Sequence, residues 1–394
     1  MKINNQSISV SDILNSVNPL KEIEKINAQI YPAKFRVETN DKFSKILFGL
    51  TQEEYSKLTN GNYMNIVEKK NHKKVGKIRS PFKVYNGKGY INTAPLTEFD
   101  RAVLAVCISN WLAGNRHITP AIIYRGLTGK VNHLARDAKP STDQRNAIMR
   151  SIEKLMGTIV SSDMTDVCKN LKYNDGKPFK FVSALLPAYY IEATINGQDA
   201  TVIFFDRESP LLQVASLKKQ LLTFNADLLD VPNQNNTPLV ITLKNYILRR
   251  IQEIKLHKMT PTLTIDDIFQ KCRIADKSNK AKLDARNSIE KFFEHLKSIG
   301  EISSFTWDKK GNKIYSINFY YEKKSQVAPP EISEPDISST ENKSEISNSN
   351  SSKDSSLNPE NLLAQDSEKP HIDKLLELCI GDCVTLHRRL GNFA

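Results

Sequence analysis

The stretch from Thr237 to Tyr321 constrains the fold more than any other, because its hydrophobic period changes once, from that of a helix to that of a strand. Leu239, Leu243, Ile247, Leu248, Ile251 and Ile254 recur at helical spacing and predict a first helix with one buried face. Pro261 and Thr262 break the pattern. Thr264 has the character of an N-cap, with Asp266 and Asp267 in the first turn, where the helix dipole favours anions. The second helix is short, with Ile265, Ile268 and Phe269 inward. A polar turn, Ala275–Lys280, leads to a third helix whose stripe is Ile289, Phe292, Phe293, Leu296 and Ile299, and Gly300 supplies the left-handed residue that ends it. Beyond Gly300 the period is two. Ile302 and Phe305 lie in one run; Tyr315, Ile317 and Phe319 alternate with Ser316, Asn318 and Tyr320 in the next, and the turn Asp308–Lys313 joins them. This predicts a β-hairpin with a basic tip. Three helices and a hairpin describe a winged helix, a helix-turn-helix variant whose third helix enters the DNA major groove. Periodicity alone is equally satisfied by a small α+β domain with no role on DNA. Lys277, Lys280, Lys282, Arg286, Lys291 and Lys297 crowd the third helix and its approach, and this charge favours the winged helix.

The order repeats earlier in the chain. Leu96-Thr97-Glu98 opens a helix that buries Val103, Leu104, Cys107, Ile108 and Trp111 and ends at Gly114. Thr119-Pro120 caps a short helix with Ile122, Ile123 and Leu127 inward, proline taking the first helical turn. Ser141 or Thr142 caps a third, with Ile148, Ile152, Leu155 and Met156 inward, stopped by Gly157. Strand-like runs with turns such as Asn174–Lys177 then continue to about Ile203. The third helices read RNAI at Arg145–Ile148 and RNSI at Arg286–Ile289, and each isoleucine is followed by apolar residues four and seven positions later. Element order and spacing together predict a diverged internal duplication, an α+β chain with two tandem winged helices. Residues 209–230 read as a helix leading to a connector, and Pro232, Asn233, Asn235, Asn236 and Pro238 mark the boundary between units.

Charge divides the chain. Residues 325–370 carry 9 acidic and 3 basic side chains and residues 371–394 carry 3 of each; of the 56 basic and 44 acidic residues, 50 and 32 therefore fall in residues 1–324, a net of +18. So basic a body beside an acidic tail suggests a polyanion partner, where a merely well-solvated basic protein is the plainer alternative. Residues 1–94 form an N-terminal region with a basic arm, Val67–Tyr90, rich in lysine. Lys73, Lys74, Lys77 and Arg79 in that arm, which ends in a short hairpin, can neutralise phosphates without reading sequence, and a solvated linker fits equally well. Residues 95–230 are the first winged helix with extra strands, and 231–324 the second. Residues 325–370, rich in Ser, Asn and Glu, predict a disordered acidic linker, and 371–394 a short helical segment suited to docking a partner. The five scattered cysteines and the absence of a visible signal peptide or membrane-length apolar run predict a cytoplasmic protein with no membrane partner.

Signatures of chemistry are few. Gly126–Lys130 has the wrong spacing for a phosphate loop, so no nucleotide hydrolysis, no cofactor and no enzyme activity are expected. No His-x-His pair occurs. Cys379, Cys383 and His387 share a helical face, but Gly381 weakens the helix and no fourth ligand is evident, so no metal site is expected. The candidates for contacting DNA are Gln144, Arg145, Asn146 and Arg150 on one third helix and Lys280, Lys282, Arg286 and Asn287 on the other. Arginine pairs bidentately with guanine, and Asn or Gln with adenine. Lys309, Lys310 and Lys313 at the hairpin tip would hold phosphates.

PLTEFDRAVLAV at 95–106, the RNAI and RNSI helices, and LKSIGEI at 296–302 resemble bacterial plasmid replication initiators with tandem winged helices, over about residues 95–321. The resemblance implies an initiator that binds direct repeats in duplex DNA at an origin and recruits host replication proteins without hydrolysing ATP. It implies that the second unit makes the main base contacts, through Lys282, Arg286 and Asn287. The first then supplies homodimer contacts and further DNA contacts through Arg145 and Asn146. The basic N-terminal region, the added strands of the first unit and the acidic tail depart from the family pattern. A winged-helix transcriptional regulator of a mobile element would share these features, and a DNA-processing enzyme is the third reading.

Overall fold

The computed structural model describes residues 32–50, 63–67, 74–79, 82–85, 88–91, 95–132, 137–163, 180–195, 198–311 and 313–322. The chain divides after Gln326, and everything described lies in the first unit. The expected linker at 325–370 and segment at 371–394 lie outside the described residues. Among the described residues no helix is long and apolar enough to cross a membrane.

The architecture is mixed α+β, with helices of up to 20 residues and small antiparallel sheets. The first half contains helix α2 (Glu98–Leu112), strand β6 (His117–Ile118), helices α3 (Pro120–Thr128) and α4 (Thr142–Gly157), and the hairpin β9 (Ala188–Ile195) and β10 (Gln198–Phe205). The second contains α6 (Pro238–His257), β12 (Thr262–Thr264), α7 (Ile265–Lys271), α8 (Asn279–Ser298), and the hairpin β13 (Ser304–Lys310) and β14 (Lys313–Tyr320). In both, the short strand between the first two helices pairs with the second strand of the hairpin: β6-β10-β9 in one sheet, β12-β14-β13 in the other. The repeated order read from the sequence is therefore matched by a repeated sheet order that helical and strand periods alone do not specify.

Local chemistry sets the boundaries. Thr97 and Asp100 form a capping box at the start of α2, and Ser141 and Gln144 form another at α4. Thr119 and Thr237 cap α3 and α6 ahead of prolines in the first turn, and Ser278 caps α8. Gly300 has φ 71° just beyond α8. Gly129, φ 81° after α3, is compelled by space as well as by conformation. A Cβ there would lie 2.4 Å from the amide nitrogen of Asp230.

The remaining elements attach to this pair. β1 (Phe35–Thr39) precedes helix α1 (Lys42–Leu47). Strands β2 (Tyr63–Val67) and β3 (Lys74–Arg79) join β7 (Ile159–Asp163) and β8 (Lys180–Ala184), inserted between α4 and β9, in a sheet ordered β2-β3-β7-β8. β4 (Phe82–Tyr85) and β5 (Lys88–Ile91) form the short hairpin. Helix α5 covers only Pro210–Leu217 of the helix expected over 209–224. Lys219, at φ 52°, turns the chain into β11 (Leu221–Asn225), which pairs antiparallel with β1. The run LLTF satisfies a helical stripe, but Leu222 and Phe224 bury one face of a strand while Thr223 points out.

Two apolar cores result. One joins Val103, Ile122, Leu127, Ile148 and Ile152 with Phe43 and Leu47. The other joins Leu243, Ile247, Ile268, Ile289, Phe293 and Phe319 with Leu222 and Phe224. Helix α6 departs from its expected single buried face, for every residue from Ile241 to Arg249 is buried. Its apolar side fills the second core, and its polar side meets α2. Asn245 donates to the Leu127 carbonyl at 3.0 Å, and Arg36 donates to Asn245 and to the Ala102 carbonyl at 2.9 and 2.7 Å. Arg249 pairs with Glu98 at 2.8 Å and with Glu253 at 3.1 Å, and lies 3.5 Å from Glu38. Arg36 and Arg101 stand beside the same Glu38. Three arginines and three carboxylates, all buried, thus join β1, α2 and α6. Burial raises the pKa of Glu38 against the pull of Arg36, Arg249 and Arg101. Burial also opposes the charge of Arg249, but Glu98, Glu253 and Glu38 outweigh it and hold that guanidinium above its usual range.

Candidate nucleic-acid interface

Helix α8 presents an outer row of Lys280, Leu283, Asp284, Asn287, Glu290, Lys291 and Glu294 to solvent, while Ile289, Phe292, Phe293 and Leu296 are fully buried. Of the expected contact residues here, Lys280 and Asn287 are exposed and Lys282 is half-buried. Arg286 is half-buried and turned toward α7, with its guanidinium 5.7 Å from the Phe269 ring centroid. That cation–π contact is worth roughly 0.5–1 kcal/mol and fixes the side chain against the neighbouring helix. The outer row is mixed in sign, so any preference for DNA here rests on shape and hydrogen bonding as well as on charge.

In α4, Asn146 and Arg150 are exposed, and Arg150 donates to the Asn146 carbonyl at 3.2 Å. Gln144 and Arg145 are engaged within the fold. Gln144 closes the capping box with Ser141 and donates to the Asn236 carbonyl. Arg145 donates to Thr201 Oγ1 on β10 at 2.7 Å. Lys154, one helical face further on, forms an ion pair with Asp100.

The second hairpin turns at Gly311, φ 59°, with Lys310 opposite Lys313 and a bulge between Asp308 and Lys309. Lys309 is exposed. Lys74, Lys77 and Arg79 lie along β3, where Lys77 is opposite both Asn65 and Ser161, so this part of the basic stretch is a strand in a sheet. Lys73 and the Cys379, Cys383 and His387 trio lie outside the described residues. Among the described residues no three His, Cys, Asp or Glu side chains gather to hold a metal ion.

Sequence reasoning missed the connector between the halves as part of this surface. Lys244, buried in α6, donates to the Asn236 side chain at 2.7 Å and to the Leu229 carbonyl at 2.8 Å, and burial pushes its pKa down to about 8. Gln234 donates to the Ser288 carbonyl of α8 at 3.2 Å. A groove of about 470 Å³ runs between the connector and α8, lined by Asn235, Leu239, Asp284, Asn287, Ser288 and Lys291. The run of amides in Pro232–Thr237 was the available signal, and it read as a turn.

The class defined by these elements is an α+β chain in which helix, strand, helix, helix and hairpin occur twice with the same sheet order. No protein-family model and no curated protein matches the chain. Among solved structures it is similar to a selenomethionine derivative of domains 2 and 3 of RctB, at 12% identity and a TM-score of 0.30, over 65% of this chain and 94% of that one. A second structure of RctB domains 2–3 gives 12% identity and a TM-score of 0.30 over 62% and 91%. Overlap this loose carries no argument about function, which is taken from the residues themselves.

Proposed function

We propose that the chain is a sequence-specific, non-enzymatic binder of double-stranded DNA built from two winged helices, and that it initiates replication of a plasmid or mobile element by binding origin repeats. The repeated sheet order, β6-β10-β9 and β12-β14-β13, carries this reading. In each half the short strand and the hairpin brace a three-helix unit whose third helix has an exposed side. The excess of basic residues in 1–324 supplies the attraction to phosphate. In this reading Lys280 and Asn287 meet base edges, Lys309, Lys310 and Lys313 hold the backbone, and Asn146 and Arg150 add a second contact. A homodimer and host replication proteins are the further partners that an initiator of this kind would need.

The test is a footprint of the purified full chain on DNA around its own gene, at two salt concentrations. Protection of several direct repeats beside an A·T-rich stretch supports initiation. One protected palindrome over a promoter replaces it with transcriptional regulation, and protection that vanishes at the higher salt at every sequence leaves only non-specific binding.

A further inference from the structure

The connector between the halves is held far more firmly than a spacer requires. It is anchored from below, with Val231 7% and Asn236 8% exposed. The Lys244 ammonium, buried at a cost visible in its lowered pKa, is committed to Asn236 and the Leu229 carbonyl. From one side Gln144 at the start of α4 donates to the Asn236 carbonyl, and toward the other Gln234 donates to the Ser288 carbonyl in α8. The connector therefore bridges the two third helices. Between these anchors Asn233, in the left-handed region at φ 56°, and Asn235 are exposed. Asparagine tolerates that conformation better than most residues. Asn235 shares the groove beside α8 with Asn287.

A carboxamide is neutral, so it adds nothing to attraction for the phosphate backbone. It does present a donor and an acceptor side by side, the pattern that adenine offers in return through N7 and its N6 amino group. Two such groups on a rigid support lose little conformational entropy on binding. We propose that Pro232–Thr237 is itself a base-reading element, in which Asn233 and Asn235 present their carboxamides to base edges beside the contacts made by α8. This rests on the DNA-binding reading above and assigns to the connector part of the sequence preference that the helices alone would otherwise carry.

The experiment selects duplexes from a randomised pool with the full chain and with the variants Asn235→Ala and Asn233→Gly, the glycine keeping the positive φ while removing the amide. Unfolding midpoints equal to the parent's establish that the variants fold. The expected result is a loss of about 5- to 150-fold in affinity for the parent's selected duplex, the range for one bidentate contact. Base preference at one or two positions should be lost and the salt slope unchanged. Variants that select the parent's consensus with the parent's affinity overturn the connector reading and leave DNA binding intact. A parent chain that enriches no duplex overturns both readings.

Discussion

Helices α4 and α8 hold the same place in the same order of elements, yet they are used differently. At the start of α4 two polar side chains are engaged by the fold, Gln144 with the connector and Arg145 with β10, while Thr142, Asp143 and Asn146 are exposed; further along Lys154 pairs with Asp100. The start of α8 is open, with Lys280, Leu283, Asp284 and Asn287 all exposed. The hairpins differ in the same direction. The sequence of the first, 188–205, holds no lysine, whereas the second carries Lys309, Lys310 and Lys313. The first half also carries β7 and β8, which tie it to the N-terminal strands. The same order of elements thus places one third helix with part of its start held by neighbouring elements and the other with its start turned to solvent.

The sharpest way to break this comparison is at the charged contact between α2 and α6. Arg249→Ala leaves Glu98, Glu253 and Glu38 buried around a lost partner, and should lower unfolding free energy by roughly 3–5 kcal/mol in a urea titration of the full chain. A change within about 0.5 kcal/mol would mean that the halves do not depend on this contact.

Lys244 gives a smaller, pH-dependent effect. Its pKa falls from 10.5 to about 8 on folding, so the unfolded chain binds more protons between those values. The penalty is fully present below pH 8 and is relieved as pH rises toward 10.5, because the neutral amine keeps donors for both of its acceptors. Relative to Lys244→Met, the parent should gain up to roughly 3 kcal/mol across that window, at about 1.4 kcal/mol per unit. A flat difference between the two proteins across that window would remove the argument.

On DNA, Asn287→Ala should cost roughly 1–3 kcal/mol of discrimination against wrong sequences, and Asn146→Ala distinctly less, in competition binding at fixed salt. The reverse ranking would exchange the roles of the two helices. Smallest of all, Lys309→Ala should weaken binding evenly across sequences and reduce the slope of log K against log salt by about 0.9. An effect confined to one sequence would make Lys309 a reader of bases.

Much of the fold was legible because its causes are local. Thr97, Thr119, Ser141 and Thr237 sit where a helix must begin, Gly300 sits where one must end, and the stripes of α4 and α8 follow the helical period. The pairing of β1 with β11 was hidden, since Phe35 and Asn225 meet only through the completed fold. So was the buried side of α6. Lys244, Asn245, Arg249 and Glu253 have the composition of a solvated face, and nothing nearby in sequence announces Arg36 or Glu98. The candidate interface was legible in its residue types but not in their commitments. Arg286 and Asn287 are neighbours in the sequence, yet one stacks on Phe269 and the other faces water.

The seam between α2 and α6 also decides which half can recognise which. Each helix opens its own half, so the seam joins corresponding elements, but what they contribute is unequal. Glu98 and Arg101 come from one, Arg249 and Glu253 from the other, and Glu38 and Arg36 come from β1, which touches both helices. Two second halves brought together through α6 would set Arg249 against Arg249 with no Glu38 or Glu98 to receive it. The seam is selective for the unlike pair, and so disfavours the association of two like halves through α6.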